Sequence, residues 1–174
     1  MEGAPTITNN YTETFTEYNA DGTYENKSVE HVITTETTVP KLGLMLVGVG
    51  GNNGSTLTAG ILAHKHGIEW ETKNGMHKPD YYGSFTQCAT VKTGMRRTAE
   101  GGIEDVYTPI KDLLPTVNPA EWEVTGWDIN GLDLFNACKR AKVLEPTLVN
   151  ALKPHLENMK PLPAAFNGHF IASN

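Results

Sequence analysis

The sequence predicts an α/β fold from three observations. A short apolar run, Leu42 to Val47, leads into a glycine-rich turn, Gly48 to Gly54, and then into a helical pattern from Ser55 to His66. That order opens a βαβ unit, in which a strand feeds a helix through a turn. A second strand pattern, Glu123 to Ile129, is followed by a second helical one. Together these predict an incomplete Rossmann-like nucleotide-binding domain over residues 41–174, preceded by a β-rich N-terminal arm over residues 1–40.

Each element has its own reason. Residues 1–40 are rich in Thr, Glu, Tyr and Asn and poor in aliphatic side chains. Tyr11 to Tyr18 alternates, Asp21-Gly22 marks a turn, and His31 to Val39 favours strand through Val32, Ile33 and repeated Thr, so a hairpin is expected after a loose first ten residues. The run Leu42 to Gly48, bounded by Pro40 and glycine, reads as a strand buried on both faces. In the following helix Leu57, Ile61 and Leu62 share a face, and Gly67 is a natural stop. Residues 68–80 are polar and read as loop. Tyr81 to Val91 reads as a strand and Thr93 to Tyr107 as loop. Asn118-Pro119-Ala120-Glu121 combines a cap, a proline at the first helical position and a glutamate, and so starts a helical turn. Asn130 is the expected cap of a helix reaching Leu144, with Leu134, Cys138 and Ala141 on its buried face. Pro146 starts a further helix to about Leu152, and Pro154, Pro161 and Pro163 interrupt the tail.

Composition removes several function classes. The 174 residues carry 14 Lys and Arg against 20 Asp and Glu, a net charge of -6. An acidic chain of this kind lacks the basic surface that nucleic acid requires. The cluster Lys92, Arg96 and Arg97 reads as a solvated face. No apolar run approaches the roughly 18 residues of a membrane span, so no membrane partner is expected. The first residues lack the basic and apolar regions of a signal peptide. Cys88 and Cys138 suit two buried thiols in a reducing compartment, not a disulfide framework.

The chemistry concentrates in Gly48-Val49-Gly50-Gly51-Asn52-Asn53-Gly54-Ser55-Thr56. Gly48 allows a tight turn, and Gly50 and Gly51 allow close backbone approach. The free amides at the start of the helix favour an anion such as pyrophosphate, and Asn52 and Asn53 add amide donors. The spacing departs from the G-x-G-x-x-G pattern, whose third glycine would be residue 53; Gly54 stands one residue late. No lysine stands beside Ser55-Thr56 to make a Walker motif. A turn made only for packing is the competing explanation. Asp128 ends the second strand, where a dinucleotide site places a carboxylate on the ribose hydroxyls, but that acid usually follows the glycines by about 20 residues. A local cap or a helix-terminal charge explains it as well. No group of His, Cys, Asp and Glu has metal-ligand spacing, and no serine stands in a nucleophile elbow.

These residues resemble a known family. Lys41 to Leu57 is similar to the cofactor motif of the eukaryotic myo-inositol-1-phosphate synthases, also called inositol-3-phosphate synthases. Tyr82-Gly83-Ser84-Phe85-Thr86-Gln87, Leu113-Leu114-Pro115-Thr116-Val117-Asn118-Pro119, Gly126-Trp127-Asp128-Ile129, Ala141-Lys142-Val143-Leu144 and Phe170-Ile171-Ala172 follow in the family's order. The resemblance covers the N-terminal part of the family only, from about Tyr11 to Asn174. It implies NAD as cofactor and glucose 6-phosphate as substrate. It also implies an isomerisation by internal oxidation, aldol closure and reduction, feeding inositol and phospholipid synthesis, in a cytoplasmic homotetramer. By position, Gly50, Gly51, Asn52 and Asn53 resemble the pyrophosphate turn and Asp128 the ribose carboxylate. The family's catalytic lysines, including those of its S-G-Q-T-K segment, have no counterpart here, so the resemblance implies no catalytic residue and no bound metal in this chain. Ala164-Ala165 stands where the family often has a serine on the cofactor. A non-catalytic NAD-binding module that joins full-length subunits is the alternative.

If Asp128 accepts the ribose hydroxyls, Asp128→Ala in the full-length enzyme will weaken NAD binding by about 1.5–3 kcal/mol, the worth of charge-assisted hydrogen bonds. Calorimetric titration checks this; unchanged affinity would make Asp128 structural.

Overall fold

The computed structural model describes residues 5–169. In chain order the elements are β1 (Thr6–Tyr18), β2 (Tyr24–Glu36), β3 (Gly43–Val47), α1 (Asn52–His66), β4 (Trp70–Thr72), β5 (Gly75–His77), α2 (Phe85–Cys88), β6 (Thr90–Arg97), β7 (Ile103–Pro109) and α3 (Ile110–Leu113). A 3-10 turn (Pro119–Glu121), β8 (Glu123–Asp128), α4 (Leu134–Ala141), α5 (Pro146–Ala151), α6 (Lys153–Leu156) and β9 (Leu162–Pro163) complete the series. The chain divides into two units. One comprises residues 1–40 and 88–116, the other residues 41–87 and 117–174.

The first unit consists of antiparallel hairpins. β1 and β2 pair along 13 residues, from Thr6 opposite Glu36 to Tyr18 opposite Tyr24. Their turn is the expected one: Gly22 has φ +84° and Asp21 Oδ1 accepts from the Thr23 amide at 3.0 Å. Alternation splits the ribbon into two kinds of face. One carries Ile7, Tyr11, Phe15, Val29 and Ile33. The other is a hydroxyl ladder in which Thr14 meets Ser28 and Thr16 donates to Asn26. The strand starts at Thr6, so residues 6–10 are paired and not loose. β6 and β7 form a second hairpin where a loop was expected. Its glycines do not end the strand: Gly94 follows a register shift after Lys92, and Gly101, at φ +84°, lies in the connecting turn. Lys92 pairs with Asp105 at 2.7 Å and Arg96 with Glu104, so two of the three charges in this basic cluster are met across the ladder.

The second unit contains the nucleotide-type layer. β3, β8 and β9 form a parallel sheet in that order, with Leu44 opposite Val124 and Leu46 opposite Gly126. Side chains of α1, α4, α5 and α6 build the core, including Ala59, Ala63, Leu134, Ala137, Leu148, Leu152 and Leu156, and Leu46 packs against it. The other face of the sheet stays open: Met45 is 45% and Val47 87% exposed. The expectation of a strand buried on both faces therefore fails for β3, because helices cover only one side among the described residues. Gly126 is obligatory there, since a Cβ at that position would lie 2.1 Å from the Leu46 carbonyl oxygen and 2.9 Å from Val49 Cβ.

Several boundaries move for local reasons. α1 starts at Asn52 and ends as expected, with Gly67 left-handed at φ 59° and its amide on the Ala63 and His64 carbonyls. Residues 70–77 form the small β4–β5 hairpin. The expected strand from Tyr81 begins only at Thr90, after a turn and α2. Asp133, not Asn130, caps α4: its carboxylate accepts from the Asn136 amide at 2.9 Å, which holds its pKa below the ordinary value. Asn130 instead accepts from the Leu132 amide and caps a turn. α4 then stops at Ala141 because Lys142 takes a left-handed conformation, φ 52°. Cys138 is buried as expected, but Cys88 is exposed. The Phe170-Ile171-Ala172 stretch lies outside the described residues.

Gly126→Ala will destabilise this unit by about 3 kcal/mol or more, the upper range for overpacking, because backbone and not a flexible side chain stands in the way; urea unfolding measures it. A pH effect is expected at the end of α1, where the His66 and His155 rings stack at 3.7 Å. Burial, then the charges of His155 and Lys65, lower the His66 pKa below 6.5. A folded-state value below the unfolded one means the unfolded chain binds more protons in acid. This contribution to stability is therefore present above pH 6.5 and is lost as pH falls through the lowered value. Melting temperature should drop on acidification in that window, and less steeply in His66→Gln.

Candidate functional site

The turn after β3 is held by hydrogen bonds that need small residues. Gly48 has φ +83°, and its amide and that of Val49 both donate to the Trp127 carbonyl, at 2.7 and 3.1 Å. The Gly51 amide returns to the Gly48 carbonyl at 2.9 Å. A Cβ on Gly54 would stand 2.6 Å from the carbonyl oxygens of both Gly48 and Val49. Gly54 thus performs the close strand–helix packing that the third glycine of a dinucleotide motif performs, one residue later in sequence. The departure in spacing is absorbed by starting α1 at Asn52.

The N-terminus of α1 is available to an anion. Its cap, Gly51, brings no side chain, and the first turn contains no acid. The Ser55 amide donates to the Gly51 carbonyl, so the amides of Asn52, Asn53 and Gly54 precede the first bonded one. Together with the helix dipole they favour negative charge at this point.

Asp128 stands at the carboxyl end of β8, only 8% exposed. One carboxylate oxygen accepts the Gly50 amide at 2.8 Å, and the other accepts the Asn130 amide at 2.8 Å. On the far side of the same residue, Arg140 Nη2 donates to the Gly50 carbonyl at 3.0 Å. Gly50 is therefore gripped on both peptide groups, by a carboxylate 78 residues away and a guanidinium 90 residues away. A Cβ on Gly50 would meet Asp128 Oδ2 at 3.1 Å. A carboxylate offers about four lone-pair sites. Two are used here, which leaves Asp128 able to accept further donors.

An open cleft of about 800 Å³ lies at this end of the sheet, lined by Gly48, Gly51, Asp128, Asn130, Arg140 and Ala164 among others. A second of about 510 Å³ adjoins it along Gly51, Asn52, Asn53, Gly54 and Leu57. All five residues singled out from sequence, Gly50, Gly51, Asn52, Asn53 and Asp128, stand in the turn or beside it. Arg140 was not singled out, and no local pattern marks it: it reaches the site only through the pairing of β3 with β8. Asn130, expected as a helix cap, joins the site through its amide on Asp128. Ala164 and Ala165 line the cleft without a hydroxyl. Among the described residues no group of three or more His, Cys, Asp or Glu is placed to hold a metal ion.

Comparisons with known proteins point to one family. A family model described as myo-inositol-1-phosphate synthase, an NAD-binding domain, matches residues 42–174. Inositol-3-phosphate synthase 1 of Oryza sativa subsp. japonica is 49% identical over 148 residues, which is 85% of this chain and 28% of that protein. The inositol-3-phosphate synthase of Saccharomyces cerevisiae is 52% identical over 134 residues, 77% of this chain and 24% of that protein. The crystal structure of inositol-3-phosphate synthase from Caenorhabditis elegans superposes with a TM-score of 0.81 at 38% identity, covering 96% of this chain and 32% of that one. The chain thus spans about a third or less of the length of these relatives.

The grip on Gly50 has a measurable consequence. Arg140→Met removes the hydrogen bond to its carbonyl and should weaken dinucleotide binding by about 1 kcal/mol, the net worth of one such bond. Titration calorimetry checks it, with Lys139→Met, an exposed neighbour outside the cleft, as the control expected to bind normally.

Proposed function

The chain belongs to the myo-inositol-1-phosphate synthase (inositol-3-phosphate synthase) family, and from that premise we propose that its glycine cleft binds NAD for the isomerisation of glucose 6-phosphate to inositol 3-phosphate. The observation that carries the proposal is the Cβ-free cradle at Gly50, Gly51 and Gly54, set against the uncapped start of α1 and gripped by Asp128 and Arg140. The residues fit a dinucleotide. The amides of Asn52, Asn53 and Gly54 would hold the diphosphate, with the Asn52 and Asn53 side chains beside them. The unused lone pairs of Asp128 would accept ribose hydroxyls. Arg140 keeps the Gly50 peptide oriented while the ligand approaches.

When bound, NAD supplies a reversible hydride acceptor, which suits an isomerisation with no net redox change. This chain's residues bind and orient; none of them is assigned as the acid or base of the reaction. Aldol closure passes through alkoxide and enolate charge, for which lysines are suited, and the family's S-G-Q-T-K lysines have no counterpart among these residues. The proposal places the activity in a longer cytoplasmic protein that works as a homotetramer, with this chain contributing the first part of its NAD domain. No helix among the described residues is long and apolar enough to cross a membrane.

Two measurements test this. Calorimetric titration of the chain with NAD should give saturable binding that is lost or strongly weakened in Gly50→Val; equal binding by both would sink the cleft assignment. Incubation with glucose 6-phosphate and NAD should yield no inositol phosphate from this chain alone, and product formation would overturn the absence of catalytic residues.

A further inference from the structure

We propose that Asn130-Gly131, in the wall of the Asp128 cleft, is a self-modification site: the Asn130 side-chain amide converts to a carboxylate, and the new charge lowers the affinity of the cleft for NAD. The effect on affinity rests on the NAD reading of that cleft; the conversion itself does not.

Deamidation starts when the backbone nitrogen after an asparagine attacks the side-chain carbonyl carbon. It needs an unhindered nitrogen, a polarised carbonyl and a backbone free of helix or ladder. Glycine removes the hindrance, because it has no Cβ. The chain has four Asn-Gly pairs. Asn53-Gly54 lies in the first turn of α1 with Gly54 buried, and Gly75 is paired with Thr72 across the β4–β5 hairpin. Asn130-Gly131 instead stands in the irregular segment between β8 and α4, with Gly131 exposed. Asn130 Oδ1 accepts the Leu132 amide at 3.0 Å. That bond polarises the carbonyl and folds the side chain back over the Gly131 nitrogen. The Gly131 amide donates to no acceptor among the described residues.

The steps balance without any further reagent than water. The Gly131 nitrogen bonds to Asn130 Cγ, the Cγ–Nδ2 bond breaks, and ammonia leaves with the proton of the Gly131 amide. Water then opens the cyclic imide at either carbonyl and gives aspartate or isoaspartate. Asn130 and Gly131 both line the Asp128 cleft, and the Asn130 amide donates to Asp128 at 2.8 Å. The product therefore sets a second carboxylate beside Asp128, where it repels the diphosphate of a dinucleotide. The isoaspartate product also lengthens the backbone between β8 and α4 by a methylene.

The test stores the chain in neutral buffer at physiological temperature and samples it over days. Peptide mass spectrometry locates each conversion, and calorimetry reads NAD affinity. Asn130 should convert well before Asn53 and Asn74, and full conversion should weaken NAD binding by roughly tenfold, the scale of one nearby like charge. Asn167-Gly168 has the same turn, with the His169 amide on Asn167 Oδ1 at 3.1 Å, but lines neither glycine cleft. Affinity should follow the fraction converted at Asn130 and not that at Asn167. In Gly131→Ala the new Cβ meets nothing within 4 Å, so the fold accepts it while the attack is hindered. That variant should convert slowly, and its affinity should not decline on storage. Conversion at Asn130 no faster than at Asn53, or an equal decline in Gly131→Ala, overturns the proposal. Fresh Asn130→Asp that binds NAD as tightly as the parent overturns the charge effect. If the fresh parent binds no NAD while Asn130 still converts, the glycine-cleft reading fails and the modification site stands.

Discussion

The hydrogen bond from the Gly50 amide to the Asp128 carboxylate is the contact on which the site depends. It is buried, it joins the turn after β3 to the end of β8, and it is charge-assisted. Around it the other elements fall into place. The Trp127 carbonyl takes the amides of Gly48 and Val49, Arg140 takes the Gly50 carbonyl, and Asn130 takes the second carboxylate oxygen. The result is a turn whose polar groups are satisfied from below by β8 and α4. The amides at the start of α1 remain for whatever enters from above.

This arrangement explains why one carboxylate can have two roles. A local-cap role and a ligand-binding role for Asp128 compete as explanations when only sequence is in view. The geometry makes them compatible, because each oxygen spends one lone pair on a backbone amide and keeps another. A substitution at Asp128 then disturbs the turn as well as any ligand contact, and a lost affinity cannot be assigned to the ribose contact alone. Arg140 separates the two, since its hydrogen bond is to the backbone of the turn.

The layer order was legible in the sequence wherever local chemistry decides it. Glycine punctuation marked the β1–β2 turn at Asp21-Gly22, the turn after β3 and the end of α1 at Gly67. Asn118 with Pro119 marked the 3-10 turn. What misled was chemistry whose meaning depends on partners distant in sequence. β6 and β7 carry glycines and scattered charges that look like loop until Lys92 meets Asp105 and Arg96 meets Glu104 across the ladder. The apolar run of β3 suggests burial on both faces, yet only the side of Leu44 and Leu46 is covered among the described residues. At the site, the glycines and Asp128 carry a recognisable pattern. Arg140 carries none, because its role exists only through space.

The long path between α1 and β8 has a consequence for how the site comes into being. In many βαβ units the second strand follows within about 30 residues, whereas here Gly43 pairs with Glu123. Loop closure grows only logarithmically with length, so a roughly threefold longer connection costs about 1 kcal/mol at equilibrium. The cost in time is different, because contacts of high sequence separation are slow to form. A nascent chain emerging from the ribosome would expose its glycine turn early and hold it without Asp128 or Arg140. Ligand-binding competence would therefore wait until α4 has emerged and both grips on Gly50 can close.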